Sequence, residues 1–452
     1  MSAGARVAVV GAGVAGLTTA YRLSEAGADV VVYEASDRAG GKLVDIKVGD
    51  LTLPAGADSF VARKPWAVEL CGELGLGAEL VAPGVRGAYL WTDSGLVPFL
   101  KEAPFGIPGD VGDVLRWPGL SNAGRRRAAQ DLLRRRRNDG VEETLGGLLR
   151  RRLGDEATER AIAPLLAGLY AGDVDRLSAL ATFPELLAWE RSQSSLIRGS
   201  QAAARAARSI DTKPMFMRPR AGVSRLVDAL VGRLGDRVHL DAPVASLDAV
   251  SDADAVVLAV PAFEAARLLR TKTPAAADDL DGIPYASTGV VFLVFGEGTQ
   301  GALPDGTGFV APRGKTPMTA CTWISSKWPD PSYGSRAVVR CFVGAVGDED
   351  ILDAADTDLI EACARHLAAV VALPERPESA AVVRWLRSMP QYERGHIERV
   401  GRIRAALPAG IFVVGSAYDG VGIPDCVRAA GETAERVVGH LGLATLDKET
   451  AR

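Results

Sequence analysis

Lysine, asparagine, histidine and cysteine are scarce in this chain of 452 residues. Only 9 of its 52 basic residues are lysine, and it has two asparagines, four histidines and five cysteines. The histidines and cysteines are scattered and show no C-x-x-C spacing, so we expect no metal site and no disulfide framework, but thiols in a reducing compartment. Because arginine replaces lysine so generally, a lysine carries more functional information here than an arginine.

The chain also lacks a strong net charge and long apolar runs. Its formal net charge is −4 and its pI about 5.8, which give no general drive toward nucleic acid. No apolar run reaches the ~18–20 residues of a membrane-spanning helix, and no secretory signal pattern opens the chain. We therefore expect a cytoplasmic protein that neither binds nucleic acid nor spans a membrane.

A glycine-rich turn follows the first predicted strand, Arg6–Val10, and a helix is predicted over Val14–Ala26. The turn reads Gly11-Ala12-Gly13-Val14-Ala15-Gly16. In a dinucleotide-binding turn, the first glycine permits the tight turn, the second lets a pyrophosphate approach the backbone, and the third lets helix and strand pack closely. The N-terminus of the helix supplies N–H groups and positive potential for the phosphates.

An acidic residue ends the next predicted strand, Asp29–Glu34. Glu34 lies 18 residues beyond Gly16, where a carboxylate can accept both ribose hydroxyls of an adenine dinucleotide. Its charge would repel a 2′-phosphate, which argues against NADP. These residues therefore predict an adenine dinucleotide site.

The segment after Glu34 distinguishes flavin from nicotinamide by resemblance. Glu34-Ala35-Ser36-Asp37-Arg38-Ala39-Gly40-Gly41-Lys42 resembles the second FAD contact of the amine-oxidase-like flavoproteins. The resemblance implies FAD as the cofactor, with Ala35, Arg38, Gly41 and Lys42 beside it. A strand predicted over Ala253–Pro261 returns to the nucleotide sheet in this group, with Val244 against the adenine.

The C-terminal part of the sequence predicts one more strand of the nucleotide-binding sheet. Gly410–Gly415 reads as a strand, and a helix is predicted over Val427–Leu441. The glycine turn between them suits the flavin ring end, because a helix N-terminus attracts carbonyl or anionic groups. The contacts assigned to this end are Gly415, Val421, Gly422, Ile423 and the aromatic Trp385, the last by resemblance.

From Leu53 onward the resemblance narrows to the bacterial protoporphyrinogen/coproporphyrinogen oxidases, and it extends from about residue 5 to about residue 440. It is carried by Pro54–Pro65, Leu145–Asp155, Pro164–Asp173, and Met389–Tyr392 with His396. The subtype resembles the coproporphyrin-forming enzymes of Gram-positive bacteria. The match further implies that Gly56, Ala57, Asp58 and Ser59 lie beside the flavin.

The resemblance implies an oxidase that converts coproporphyrinogen III to coproporphyrin III in haem biosynthesis. Molecular oxygen would accept six electrons in three cycles and give hydrogen peroxide. The alternatives are a protoporphyrinogen IX oxidase, an amine oxidase or carotenoid desaturase, and a flavin-binding protein without turnover. Lys64 and Arg220 are candidates for the substrate propionates. Lys64 could equally be a solvated loop residue, and Lys327 is expected at the surface.

Together these patterns predict an α/β protein with a discontinuous Rossmann-like FAD domain, a sheet-containing substrate domain and a helical insertion. The FAD domain is assigned to 1–63, 211–270 and 380–443, the substrate domain to 64–104 and 271–379, the insertion to 105–210, and a tail to 444–452. Arginine runs at 125–127 and 134–137 could meet an anionic membrane surface or a transient haem-pathway partner, or form a solvated helix face.

Overall fold

The computed structural model describes residues 4–137, 139–210 and 214–443, and the predicted tail 444–452 lies outside them. The strands, in chain order, are β1 (Arg6–Val10), β2 (Asp29–Tyr33), β3 (Asp45–Val48), β4 (Leu51–Pro54), β5 (Phe60–Val61), β6 (Leu80–Val81), β7 (Tyr89–Thr92), β8 (Gly95–Pro98), β9 (Phe216–Pro219), β10 (Val238–His239), β11 (Ala255–Leu258), β12 (Tyr285–Val294), β13 (Gly308–Val310), β14 (Met318–Trp323), β15 (Val338–Val343), β16 (Ser379–Pro390) and β17 (Ile411–Val413).

The α-helices follow the same numbering. They are α1 (Val14–Glu25), α2 (Trp66–Glu73), α3 (Val111–Leu115), α4 (Asn122–Ala129), α5 (Leu145–Leu153), α6 (Asp155–Ala157), α7 (Ala163–Tyr170), α8 (Ala179–Thr182), α9 (Pro184–Gln193), α10 (Leu196–Ile210), α11 (Ser224–Leu234), α12 (Ala262–Leu269), α13 (Pro274–Asp281), α14 (Ile324–Lys327), α15 (Asp356–Ala368), α16 (His396–Ala406) and α17 (Ile423–Leu441).

A parallel sheet with the order β10-β2-β1-β11-β17 is built from three distant parts of the chain. Side chains alternate between its faces, as they must in a strand. Val7 and Val9 pack on one face with α1, α11 and α17, whereas Ala8 and Val10 pack on the other with α12, α13 and α16. Helices therefore cover both faces, and the predicted α/β class is confirmed.

The predicted element boundaries are close to those observed, with one instructive difference. The strand Arg6–Val10 is found as predicted, and the first helix ends at Glu25, one residue before its predicted end. The last helix begins at Ile423 and not at Val427, because Pro424 lies in its first turn. Proline is well accommodated there, since its fixed φ suits a helix and its missing N–H would have no intrahelical partner.

The second large sheet has the order β16-β12-β15-β14-β13-β7-β8. Val291 and Leu293 of β12 pack on one face in a core that includes α15. Val290 and Phe292 of the same strand pack on the other face against the β3–β4 hairpin. This sheet therefore rests on the chain segment that runs from the glycine-rich motifs toward Gly56.

Helices α3 to α10 share a separate apolar core, to which Tyr392 also belongs. Arginines of both runs make interactions within the protein: Arg127 donates to carbonyls at the end of α5, and Arg137 pairs with Glu143. Arg134, Arg135 and Arg136 are exposed. Over residues 4–137, 139–210 and 214–443, no helix has the length and apolar character needed to cross a membrane.

Candidate functional site

The two glycine-rich motifs meet at the carboxyl end of β1. Gly13 and Gly40 form a β-bridge, and the Gly40 N–H donates to the Ala12 carbonyl oxygen at 2.8 Å. The chain thus crosses back over the start of α1. In the sheet, β2 lies on one side of β1 and β11 lies on the other, so the order of the strands reverses at this point. The carboxyl edge of a parallel sheet at such a reversal of strand order is where α/β proteins bind nucleotides.

The three glycines of the first motif meet different surroundings. A Cβ on Gly16 would lie 2.0 Å from the Gly11 carbonyl oxygen, and a Cβ on Gly11 would lie 2.7 Å from that of Ala259. By contrast, no protein atom lies within 4 Å of the position of a Cβ on Gly13. Gly11 and Gly16 are therefore required by the fold itself, whereas the backbone at Gly13 faces open space.

Glu34 holds the two turns that frame this space. One carboxylate oxygen accepts from the Ala12 N–H at 2.7 Å, and the other accepts from the Ser36 N–H at 3.0 Å and its hydroxyl at 2.8 Å. The oxygen that accepts from Ala12 can accept a further bond, as a ribose hydroxyl would supply. Ala35, Val14 and Ala15 lie beside this frame, and the guanidinium of Arg38 folds onto the Gly41 carbonyl at 3.0 Å.

Lys42 connects this motif to two later segments. Its Nζ donates to the Ser388 carbonyl oxygen at 2.6 Å, in β16, and lies 3.4 Å from the Ser416 hydroxyl, beyond β17. The side chain is solvent-accessible, and we call the open space beside it the cleft; the protein atoms around it nevertheless bury it enough to lower the pKa of its ammonium group. Lys42 therefore marks the point where the glycine motif, β16 and the C-terminal turn converge.

The segment Gly56–Ser59 packs against Lys42, and a Cβ on Gly56 would lie 1.7 Å from the Lys42 carbonyl oxygen. The Asp58 carboxylate is turned inward, where it accepts from Lys327 at 3.0 Å and Trp328 at 3.2 Å. Burial alone would raise the pKa of Asp58, but Lys327 and Arg340 lower it further than burial raises it. Its side chain is thus engaged by the protein, and Ala57 and Ser59 flank it.

The expectation that Lys327 lies at the surface is wrong. Its side chain is largely buried against Asp58, although it sits in a short helix between two tryptophans. A charged residue takes such a position only when a partner compensates for its lost hydration. That partner lies 269 residues away in the chain, so sequence context could not reveal it.

The turn between β17 and α17 forms the other side of the cleft. It contains Gly415 and Val421, and α17 begins at Ile423 with Gly422 as its N-cap and no side-chain cap. The hydroxyl of Tyr392, a residue without a predicted role, donates to the Ser416 carbonyl at 2.7 Å and accepts from the Gly420 N–H at 2.8 Å. Tyr392 is buried and stacked on His396 at 3.9 Å, so it fixes this turn.

The two predicted substrate cations lie in different places. The Nζ of Lys64 is 2.8 Å from both carboxylate oxygens of Asp425 in the first turn of α17, so Lys64 faces the start of that helix. Arg220 lies beyond the end of β9 with its side chain exposed, and its N–H donates to the Glu79 carbonyl. The structure therefore does not bring Arg220 together with Lys64.

Val244 and Trp385, predicted to contact the adenine and the flavin, have most of their surface covered by protein. Val244 packs in the apolar core beside Ala8 and Val10 of β1. The Trp385 indole N–H donates to the Ala55 carbonyl oxygen at 3.0 Å, one residue before Gly56. Only three residues farther along β16, Ser388 contacts Lys42. Trp385 thus ties the second sheet to the Gly56 segment.

Asp425 and Tyr392 are site residues that sequence reasoning missed. Asp425 stands three residues beyond Gly422, where an acid is an ordinary feature of a helix start. Tyr392 belongs to Met389–Tyr392, a segment that carries the family resemblance, and this resemblance is the sequence feature that could have indicated a role for it. In the described part of the chain, no group of three or more His, Cys, Asp or Glu side chains has metal-binding geometry, and all five cysteines are buried and free.

These residues fit FAD on structural grounds. The open backbone at Gly13 lies at the start of α1, a helix that has no side-chain cap and no acid in its first turn. Such a helix start binds phosphate, and Glu34 has unused acceptor capacity beside it for a ribose. The second uncapped helix, α17, starts at the other side of the cleft, but its first turn contains an acid, Asp425.

Comparison with known proteins agrees with this geometry. The family model described as "Flavin containing amine oxidoreductase" matches residues 14–438. The chain is 33% identical to the coproporphyrinogen III oxidase of Bacillus subtilis (strain 168), over 93% of this chain and 95% of the relative. It is 30% identical to the coproporphyrinogen III oxidase of Staphylococcus aureus (strain NCTC 8325 / PS 47), over 96% and 99%.

A crystal structure of a protein from Exiguobacterium sp. 255-15 has the same fold, with a TM-score of 0.83 and 30% identity over 97% of this chain and 99% of that one. The predicted family resemblance and the predicted FAD cofactor are confirmed. The chain belongs to the family of flavin-containing amine oxidoreductases.

Proposed function

We propose that this protein is an FAD-dependent coproporphyrinogen III oxidase that forms coproporphyrin III, with molecular oxygen as electron acceptor and hydrogen peroxide as by-product. The observation that carries the proposal is the similarity, over nearly the whole chain, to bacterial coproporphyrinogen III oxidases. A cytoplasmic setting in haem biosynthesis belongs to the same proposal. So does the assignment of the five-stranded sheet to an FAD domain and the seven-stranded sheet to a substrate domain.

The chemistry requires little acid–base machinery from the protein. Bound FAD supplies a hydride acceptor, and the pyrrole N–H groups of a porphyrinogen can lose their own protons. The remaining task of the chain is to hold the macrocycle in place and exclude side reactions. Lys64, whose ammonium pairs with Asp425 at the start of α17, would meet a propionate that enters the cleft. Arg220, outside this cluster, is a weaker candidate for the same role.

The cofactor contacts form one continuous frame under this proposal. Gly11, Gly13 and the start of α1 would receive the pyrophosphate, Glu34 the ribose, and Val244 the adenine side. Gly56 to Ser59 would contribute backbone groups near the flavin, because the Asp58 side chain is engaged by Lys327. Trp385, Lys42 and the turn from Gly415 to Ile423 would border the ring.

The proposal is tested with purified protein that retains its yellow flavin. Coproporphyrinogen III and protoporphyrinogen IX are supplied separately in air, and porphyrin fluorescence and peroxide are followed together. We expect flavin absorbance, a higher kcat/KM with coproporphyrinogen III, and about three peroxides per porphyrin formed, since aromatisation removes six electrons as three pairs. An anaerobic sample is the control and should stop after the bound flavin is reduced.

Faster turnover of protoporphyrinogen IX would assign the protein to the other substrate, which has two propionates where coproporphyrinogen has four. Bound FAD without porphyrin formation from either substrate would contradict the proposal and favour a flavin-binding protein without turnover. Peroxide formation only with an amine would assign it to the amine oxidases.

A further inference from the structure

The contact between Lys64 and Asp425 joins two segments that border the cleft. Lys64 follows β5, and Asp425 is the third residue of α17. Both carboxylate oxygens lie 2.8 Å from Nζ, the geometry of a doubly hydrogen-bonded ion pair. The ammonium of Lys64 therefore already holds a carboxylate that belongs to the protein.

The carboxylate of Asp425 is folded back over the glycine turn before α17. A Cβ on Gly420 would lie 2.6 Å from the Asp425 Cβ, and a Cβ on Gly422 would lie 2.9 Å from its Oδ2. Glycine at these two positions thus makes room for the acid on the cleft side of the helix start. The pKa of the Tyr170 phenol is raised first by its own burial and then by the negative charge of Asp425, which lies near it.

The two members of the pair differ in accessibility. The Lys64 side chain is 43% exposed, whereas that of Asp425 is 14% exposed. An external carboxylate can therefore reach the ammonium from solvent while the internal one stays in place. The two carboxylates would then share one cation, and their mutual repulsion would oppose binding.

We propose that Asp425 is an internal competitor for the substrate carboxylate at Lys64 and limits the affinity of the cleft for polycarboxylate tetrapyrroles. This inference rests on the proposed function, because it takes the ligand to be a porphyrinogen or porphyrin that carries propionates. Asp425 lowers affinity for ligand and product alike, so its removal tightens binding. An acid that served only to support the fold would do the opposite.

The test is the dissociation constant of coproporphyrin III for the FAD-loaded protein, measured by quenching of porphyrin fluorescence. Asp425→Asn keeps the shape and the hydrogen-bond acceptor of the side chain but removes its charge. We expect binding to become roughly two- to fivefold tighter, the range of a partly exposed ion pair. Lys64→Gln should weaken binding, and the double variant should lose the gain of Asp425→Asn.

Two controls isolate the carboxylate contact. Asp93, in the turn between β7 and β8, forms another Lys–Asp pair with Lys315. Asp93→Asn removes one charge from that pair and should leave the dissociation constant of coproporphyrin III unchanged. The tetramethyl ester of coproporphyrin III has no free carboxylates, so its binding should not respond to Asp425→Asn. The flavin spectrum and the unfolding midpoint of each variant report that the fold is intact.

Weaker or unchanged binding of coproporphyrin III to an intact Asp425→Asn variant would overturn the inference. So would an equal gain for the tetramethyl ester, because the effect would then be steric. Either result leaves the proposed function standing if the wild-type protein still oxidises coproporphyrinogen III. Failure of the wild-type protein to bind or form any porphyrin would instead refute the proposed function itself.

Discussion

The starts of α1 and α17 are two versions of one structure. Each helix follows a strand of the same parallel sheet, and each has a glycine N-cap in extended conformation without a side-chain cap. They differ in charge, since α1 has no acid in its first turn and α17 has Asp425. A helix start attracts anions, so one is left open for a ligand phosphate, and the other already holds a protein carboxylate.

The two helix starts also differ in what holds them. At α1 the shape is set largely within the motif, by the contact of Gly16 with the Gly11 carbonyl oxygen five residues earlier, and Ala259 after β11 and Glu34 support it. At α17 it is set by side chains from outside the motif. Tyr392, 24 residues earlier than Ser416, bonds to the preceding turn, and Lys64, 361 residues away, pairs with Asp425 in the first helical turn. A local turn can be recognised in a sequence motif, whereas a turn held from outside cannot.

The largest effect expected at α1 comes from Gly16→Ala. The new Cβ would lie 2.0 Å from a backbone oxygen, so the helix must move away from β1. We expect a loss of unfolding free energy above about 2 kcal/mol, as for an overpacked core, together with loss of bound FAD. Urea unfolding and flavin absorbance of the purified variant measure both.

Gly431→Ala is the matched control on α17, because no atom beyond the neighbouring backbone of its own helix lies within 4 Å of its Cβ position. It should leave stability unchanged or raise it by up to about 1 kcal/mol, since alanine favours helix more than glycine does. Equal effects of the two substitutions would refute the idea that close helix–strand packing sets the start of α1.

A pH dependence should come from the α17 side. His396 is 3% exposed and stacked on Tyr392, and within the described residues neither ring nitrogen makes a hydrogen bond of normal geometry, although the nearby Tyr418 backbone partly offsets the effect of burial. Burial lowers the pKa of His396 to about 4, against an ordinary value of 6.5. Below pH 6.5 the unfolded state therefore binds a proton that the folded state does not, so stability is present above pH 6.5 and is lost as the pH falls toward 4.

This linkage corresponds to about 2 kcal/mol of unfolding free energy lost between about pH 7.5 and about pH 5. Urea unfolding at the two pH values measures the loss in the wild-type protein. His396→Phe should abolish this loss of unfolding free energy. His440→Phe, at an exposed position near the end of α17, should leave the loss unchanged. The same pH dependence in His396→Phe and wild type would show that another group is responsible.

The smallest of these effects is expected at Glu34, which frames the start of α1. Glu34→Ala removes the acceptor for ribose hydroxyls, and a charge-assisted hydrogen bond is worth roughly 1.5 kcal/mol or more. We expect the dissociation constant for FAD to rise roughly tenfold. Reconstitution of the apoprotein, followed by flavin fluorescence, measures it.

The dissociation constant of Glu34→Gln for FAD should lie between those of the wild-type protein and Glu34→Ala, because glutamine keeps an acceptor for the Ala12 N–H. The control is Glu73→Ala, which removes the partner of Arg22 at the opposite end of α1. FAD affinity that is unchanged in Glu34→Ala would contradict the ribose role.

Sequence reasoning succeeded where the cause is local. The strand Arg6–Val10 and the turn to Gly16 follow from apolar runs and glycine spacing, and the structure has them. The strand predicted over Asp29–Glu34 is also present and ends one residue earlier, at Tyr33. It failed for Lys327 and for the start of α17. Lys327 is buried by its pairing with Asp58, a contact across 269 residues. The helix starts early because Pro424 fits its first turn, although proline usually reads as an interruption.

The sequence by itself determined the nucleotide-binding half of this protein: a glycine turn, a helix start without acid and a carboxylate that ends the next strand. Each depends on backbone geometry within a few residues, which residue type controls directly. Only the tertiary structure decided the other half. It brings Lys42, Tyr392, Lys64 and Asp425 together around the start of α17. The contacts of Lys42 and Lys64 join segments 346 and 361 residues apart, and that of Tyr392 crosses 24 residues, so neighbouring positions in the chain reveal none of them.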